Sequence, residues 1–468
     1  MNANDLVRQI ETKMRSAGIA PPTIAAFLNA VHQVKAGETG LLPESSIVPV
    51  ESLPKLNEVQ KGKPAPSLLK QLAVIKLNGG LGTSMGLDRA KSLIRVKGED
   101  TFLDFIAKQI FHLRGGQNAT EPAFYLMDSF STQKDTLDYL RKYPTLGEGG
   151  RVDFLQNKVP KIDAKTLLPV SWPADPELEW CPPGHGDLYP AMLGTGLVDN
   201  LLARGVKYLF VSNSDNLGAT VDLGVLQYFA ERGLSFLMEV AERTASDRKG
   251  GHLARRRKDG RLVLRESAQC QKEDEAAFQD TQRHRYFNTN NLWVHLEHLK
   301  TELSRCGGAL PLALLKNFKT VDPRKPDSPK VLQLESAMGA AIECFDKAAA
   351  ILVPRTRFSP VKTTADLLAL RSDAYRVTED SRLVLAEARQ GTPPVIDLDP
   401  QHYKLLAGFE KCFAEGVPSL LDCDSVKVTG EVHFAPGVVC HSKVEFVNPS
   451  AEPKTVPVGN YTNVLIEF

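Results

Sequence analysis

Apolar residues return at helical spacing over residues 4 to 36, where Leu6, Ile10 and Met14 form one stripe and Ile24, Leu28, Val31 and Val34 a second. Pro21-Pro22 stands between them, so two helices with a break are predicted. A stretch rich in Pro, Ser and Glu, from about 38 to 67, then delivers the chain to its first strong apolar run, LAVIKL. From there to about residue 370, short apolar runs (FYLMD, YLFVSNSD, SFLMEV, NLWVHL) alternate with helical segments such as FLDFIAKQIFHLR and ESAMGAAIECF. Buried strands alternating with helices predict an α/β fold with a mostly parallel sheet covered on both faces. Ligands of such sheets bind beyond the carboxyl ends of the strands.

The last hundred residues follow a different period. Val426, Val432, Val438 and Val444 recur every six positions, as do Val428, Phe434, Cys440 and Phe446. Two interleaved hexad series point to a small parallel β-helix, with a two-stranded meander as the alternative. The expected organisation is a helical segment and lead-in loop over 1–66, an α/β domain over 67–370 and a β-helix domain over 371–468.

Charge and cysteine usage narrow the function classes. Fifty-seven basic residues against 56 acidic ones leave a net charge of +1, so no global field selects nucleic acid or an anionic membrane, and any anion site must be local. The basic run Arg255-Arg256-Arg257-Lys258-Asp259-Gly260-Arg261 reads as a hairpin with an Asp-Gly turn and solvated arms rather than as a nucleic-acid contact. Seven scattered cysteines show no zinc-ligand spacing and read as reduced thiols. The charged N-terminus has no signal-peptide core, and no run approaches the roughly 18 apolar residues of a membrane span. A cytoplasmic location is expected.

The candidate chemistry begins where LAVIKL ends. The stretch NGGLGTSMG holds Gly79, Gly80, Gly82 and Gly86 with Thr83 and Ser84. It lacks the Gly-Lys-Ser/Thr ending of a P-loop, and its glycine spacing departs from the dinucleotide fingerprint. What it offers is consecutive backbone amides that can approach a polyphosphate closely. Lys91 comes next in Arg89-Ala90-Lys91-Ser92, and the apolar LIRV behind it reads as a return strand. A tight turn with an incidental lysine is the plain alternative.

Taken together, KLNGGLGTSMG, PPGHGDLYP, SNSDNLGATVDL, RTASDRKGGHL, FNTNNLWV, QLESAMGAAIECF, VPRTRFSPVKTTADLL and PSLLDCDSVKVTGEV resemble, in order, the blocks of the eukaryotic-type UDP-glucose pyrophosphorylases. The resemblance runs from residue 71 to about 435. It implies a nucleotidyltransferase core with a left-handed β-helix at the C-terminus. The implied activity is conversion of UTP and glucose 1-phosphate to UDP-glucose and pyrophosphate with Mg²⁺. A pyrophosphorylase for another UDP-sugar is the nearest alternative, although such relatives carry a Gly-Thr-Arg-Leu-Gly type of loop. A homo-oligomer assembled through the β-helix is also within the family's repertoire.

By the same resemblance, Leu77, Asn78, Gly79 and Gly80 lie along the uridine and phosphates, Lys91 meets the triphosphate, and Lys362 stabilises charge at the α-phosphate, with Arg355 and Arg357 as rivals. Gln156 would read uracil, Gly184 and His185 would lie near nucleotide and sugar phosphate, and Asn213 and Ser214 would contact the sugar phosphate. Asp215 is the expected Mg²⁺ ligand, because one carboxylate at a strand end can hold the ion while phosphates and water complete its shell. Asn288, Asn290 and Asn291 offer amides for glucose hydroxyls. Asp128 stands where the family usually has Asn. Attack by one phosphate on another needs no general base, so a site of lysines, amides and a metal is sufficient.

Overall fold

The two N-terminal helices form as the stripes predict. In the computed structural model, which describes residues 3–147 and 149–468, they are Ala3–Ser16 and Pro21–Lys35. Pro21 and Pro22 open the second helix, where a missing amide hydrogen breaks no helical bond. Leu6, Ile10, Met14, Ile24 and Val31 bury against Ile162, Leu314, Leu332 and Leu334. Those residues belong to a small antiparallel sheet of Ile162–Asp163, Lys330–Ser336 and Leu314–Thr320.

The central sheet runs in the order Ile47–Pro49, His252–Arg256, Tyr286–His295, Tyr208–Asn213, Leu72–Asn78, Ala123–Asp128, Asp153–Leu155. From Tyr208–Asn213 to Asp153–Leu155 all neighbours are parallel. The other half is not. Tyr286–His295 runs antiparallel to Tyr208–Asn213 and to Phe236–Glu242, and only Ala348–Leu352 beyond it restores a parallel pair. The sheet is therefore mixed, and the mostly parallel expectation holds for one half. The cause lies between residues 242 and 286, where the chain builds the hairpin His252–Arg256/Leu262–Arg265 instead of a crossover helix, so the next strand returns in the opposite direction. Gly260 takes φ +71° in the expected Asp-Gly turn. The hairpin's basic arms are held on the protein, Arg256 by Glu343 and Arg261 by Asp346.

Alternation along Leu72–Asn78 covers both faces. Val74 packs with Phe124 and Phe210 beneath helices Phe102–Arg114 and Leu223–Glu231, while Ala73, Ile75 and Leu77 meet Leu188–Gly194, Leu197–Ala203 and Leu296–Arg305 on the other side. Phe102–Arg114 is bounded by its own sequence, with Thr101 accepting from the Asp104 amide at one end and Gly115 at φ +75° closing the other. Two short expectations change. LIRV gives only Arg95–Lys97, paired with Asp100–Thr101 and not with the main sheet. The ESAMGAAIECF segment is a single 3-10 stretch, Met338–Glu343, after a strand.

At the C-terminus, Val395–Leu398, Ser419–Thr429, Val438–Val447 and Gly459–Glu467 pair in parallel, and Val432–Phe434 pairs in parallel with Lys454–Val456. A meander would be antiparallel. Val426 lies opposite Val444, three hexads along the chain, and all eight residues of the two series are buried. Their core is continuous with one face of the central sheet. All seven cysteines are unpaired, and no helix among the described residues is long and apolar enough to cross a membrane.

Candidate active site

Leu72–Asn78 is flanked by two parallel strands, with Leu77 opposite Asn213 on one side and Asn78 opposite Asp128 on the other. Its carboxyl end therefore opens at a crevice whose walls are the loops that leave these neighbours. The Ser214 amide donates to Leu77 O at 3.0 Å and fixes the first wall. The glycine loop then doubles back. Leu81 bridges Ala90, and the Lys91 amide donates to Gly80 O at 3.1 Å, so thirteen residues after Asn78 the chain is again beside its glycines. This return brings Lys91 Nζ to 2.7 Å from Asp215 Oδ2, with both side chains only partly exposed.

The opposite wall is set by Gln156. Its amide nitrogen donates to Asp128 O at 2.6 Å, and its side-chain Nε2 donates to Gly184 O at 2.9 Å. A Cβ on Gly79 would lie 2.8 Å from Gln156 Oε1, so the bare backbone is what lets the loop and the glutamine touch. Gly184 has φ +79°, and a Cβ there would lie 2.4 Å from Ser336 O. Gly184→Ala is accordingly expected to lower stability by about 1–3 kcal/mol through a strained backbone and this collision. A urea midpoint equal to that of the wild type would refute it.

His185 accepts the Met338 amide on Nδ1 at 3.0 Å, which assigns the ring proton to Nε2 in the neutral form. Burial pushes its pKa down to about 4, so near neutral pH it is an uncharged hydrogen-bond donor. Beside it, Asp187 accepts from the backbone and side chain of Asn157, and burial raises its carboxyl to about 7.

The structure thus links Gly79, Gln156 and Gly184 along one wall, with His185 adjoining, and Leu77, Ser214, Asp215 and Lys91 along the other. Other expected residues stand differently. The Asn78 side chain is buried and donates to Asp128 Oδ1 at 2.7 Å and Thr136 Oγ1 at 2.9 Å, so what it presents to a ligand is backbone. Leu77 likewise turns its side chain into the core. Asn213 is partly exposed at its strand end. Lys362 is adjacent through its backbone, since the Val361 amide donates to Asp215 O at 3.3 Å. Its exposed side chain lies over Phe358, with Nζ 6.0 Å from the ring centre, and does not reach the Lys91–Asp215 pair.

The rival cations are occupied. Arg357 donates to both oxygens of buried Glu239, at 2.8 and 2.7 Å, and Arg355 pairs with Asp247 at 2.9 Å. Asn291 belongs to the Glu239 network, while Asn288 and Asn290 bond to each other. Sequence reasoning missed two buried charges near the site, Lys76 and Glu239. Both were marked by a lone ionisable residue inside a run otherwise apolar on both faces, LAVIKL and SFLMEV.

An Mg²⁺ ion is tested against Asp215. The donor is a hard carboxylate oxygen at a strand end, Lys91 occupies only Oδ2, and Oδ1 forms no hydrogen bond among the described residues. A single carboxylate completed by phosphate oxygens and water suits this ion, so the residue fits.

The family model described as UTP–glucose-1-phosphate uridylyltransferase matches residues 24–441. The UTP–glucose-1-phosphate uridylyltransferase of Solanum tuberosum is 39% identical over 450 residues, covering 93% of this chain and 90% of that protein. A Trypanosoma brucei structure described as UDP-glucose phosphorylase is 50% identical with a TM-score of 0.89, covering 99% of this chain and all of that one. A variant of Leishmania major UDP-glucose pyrophosphorylase in complex with UDP-glucose is 46% identical with a TM-score of 0.92, and each chain is covered in full. With a crevice walled by the glycine loop and Gln156 on one side and by Lys91 and Asp215 on the other, the chain belongs to the UTP–glucose-1-phosphate uridylyltransferase family.

Proposed function

We propose that this chain catalyses reversible uridylyl transfer from UTP to glucose 1-phosphate, giving UDP-glucose and pyrophosphate. One observation carries the residue-level reading: the glycine loop folds back so that Lys91 meets Asp215 at the mouth of the parallel strands. A phosphate oxygen of glucose 1-phosphate forms the new bond to the α-phosphorus of UTP, and the bond to the β-phosphate oxygen breaks with its electron pair leaving on pyrophosphate. Nucleophile and leaving group are both anionic, so the protein's task is alignment and neutralisation.

In this reading the amides of Gly79 and Gly80 approach the phosphates, and Lys91 exchanges its contact with Asp215 for one with the triphosphate. Asp215 would hold Mg²⁺, which when bound neutralises phosphate charge. Gln156 faces the base, an amide matching the donor and acceptor of uracil. Neutral His185, with Asn213 and Ser214, lies on the sugar-phosphate side. Lys362 is the second cation and must turn from Phe358 toward the α-phosphate.

We also infer that the two C-terminal ladders form one left-handed β-helix that comes after a catalytic unit ending near residue 370. Its last strand, Gly459–Glu467, is an edge with Leu465 exposed, which supports assembly of copies through this end. The test of activity is pyrophosphate release from UTP and Mg²⁺ with a panel of sugar 1-phosphates. Glucose 1-phosphate is expected to give the highest kcat/KM; a preference for N-acetylglucosamine 1-phosphate would transfer the assignment to another UDP-sugar.

A further inference from the structure

Lys76 is the one charge in the strand that feeds the glycine loop, and it is 3% exposed. It shares a face with Val74 and lies 5.9 Å over the Phe210 ring. Its ammonium donates to Ser212 Oγ at 2.8 Å and to Ala219 O at 2.6 Å. Among the described residues no carboxylate pairs with it. Asp215 and Glu239 act on it only at longer range, and each already holds its own cation, Lys91 and Arg357 respectively. Arg357 repels it, and His112 and Asp380 line the same small cavity.

A buried cation without a counter-ion is expensive, and an unbranched apolar side chain of equal length would fill the same space. The charge therefore serves something other than packing. Its two bonds have a direction: Ser212 precedes Asn213-Ser214-Asp215, and Ala219 lies within the loop that carries Asp215. They join the strand leading into the glycines to the wall that bears Asp215.

We propose that Lys76 is a positioning residue for uridylyl transfer, held beneath the floor of the crevice, that ties the strand leading into the glycines to the wall bearing Asp215 and whose positive charge is favoured by the bound triphosphate. This rests on reading the glycine loop as the nucleotide site. Burial, the larger cause, and Arg357 draw its pKa down to about 7, against the pull of Glu239 and Asp215. A polyanion arriving above it would raise that value and draw in a proton.

The first measurement is whether the wild-type enzyme makes UDP-glucose; failure there would sink the site reading, whereas the variants and the titration test Lys76 alone. In Lys76→Met, kcat/KM for UTP is expected to fall by on the order of tenfold or more while KM for glucose 1-phosphate changes less. The melting temperature should not fall. The folded pKa lies below the unfolded one, so the lysine's penalty on the fold is complete below about pH 7 and fades as pH rises toward the ordinary lysine value near 10.5. The methionine variant should thus gain most over wild type on the acid side. UTP kinetics within twofold of wild type, or melting temperature and activity falling together, would overturn the proposal. The buried Lys161, which bonds Val321 O at 2.8 Å beside the small sheet, gives the control Lys161→Met; an equal loss there would overturn it too. A second measurement needs no variant. Calorimetric titration of UTP into the wild-type enzyme at pH 7.5, in two buffers of different ionisation enthalpy, should show proton uptake beyond that of UTP itself, and its absence would also overturn the proposal.

Discussion

Lys362→Ala is expected to lower kcat by about 10²–10³-fold, the usual effect of removing one group that stabilises charge in a transition state. Stability should not change. The side chain is exposed, its Nζ lies over Phe358, and its structural contribution is a backbone amide donating to Asp366 Oδ2 at 2.9 Å, which alanine keeps. Nearby arginines have no freedom to replace it, because Arg357 is fixed on Glu239 and Arg355 on Asp247. Lys362 sits between Ala348–Leu352 and Thr364–Arg371, on a segment tied to Asp215 through the Val361 amide. On the proposed function, in which Lys91 and the loop amides bind the ground state, KM for UTP should change less than kcat. A variant with kcat within twofold of wild type would remove Lys362 from the transfer step and leave Lys91 as its main cation.

Much of this arrangement was legible before the fold was known, and the reasons differ from element to element. The hexads were informative because strands paired in parallel repeat side chains by register: Val426 lies opposite Val444, and both are buried. The segment FLDFIAKQIFHLR read as a helix from its apolar spacing, and the structure closes it with Thr101 and Gly115. The glycine loop announced a close approach to its backbone, and the neighbour found there is the side chain of Gln156. Strand direction was not legible. An apolar run such as NLWVHL reads the same in either orientation, and the preceding hairpin, itself visible in Asp259-Gly260, was needed to see that the chain would return antiparallel. Side-chain direction at the site was also hidden. Asn78 seemed free to meet a ligand, yet its period-two position aims it at Asp128 and Thr136, and only the register of two strands reveals this. Lys76 and Glu239 were visible as letters out of place, but their meaning depended on partners more than a hundred residues away.

Glu239→Ala is expected to destabilise the fold by about 3–5 kcal/mol, the cost of leaving a buried partner charge unpaired. Glu239 is wholly buried, and its carboxylate receives Arg357 twice, Asn291 Nδ2 at 3.0 Å and Trp293 Nε1 at 3.0 Å. Alanine would leave the guanidinium without its carboxylate and Trp293 Nε1 without its acceptor, while Asn291 Nδ2 keeps Arg357 O and Arg357 keeps Thr220 O. The loss should also reach the crevice, because Arg357 O accepts from Asn216 and Asn291, and Asn216 Oδ1 in turn holds the Ser359 amide. That chain of bonds connects the loop bearing Asp215 to the segment bearing Lys362, so activity measured well below the unfolding transition should fall as well. Removing both charges separates the two effects. In Glu239→Met/Arg357→Met no ion is left unpaired, and most of the stability should return, since apolar replacement of a buried pair is often neutral. Activity should stay low, because the guanidinium that stiffened the 355–359 backbone is gone. Chemical denaturation of the single and double variants decides the point: a single variant as stable as wild type, or a double variant no better than the single, would mean that the pair is not what holds these two loops in register.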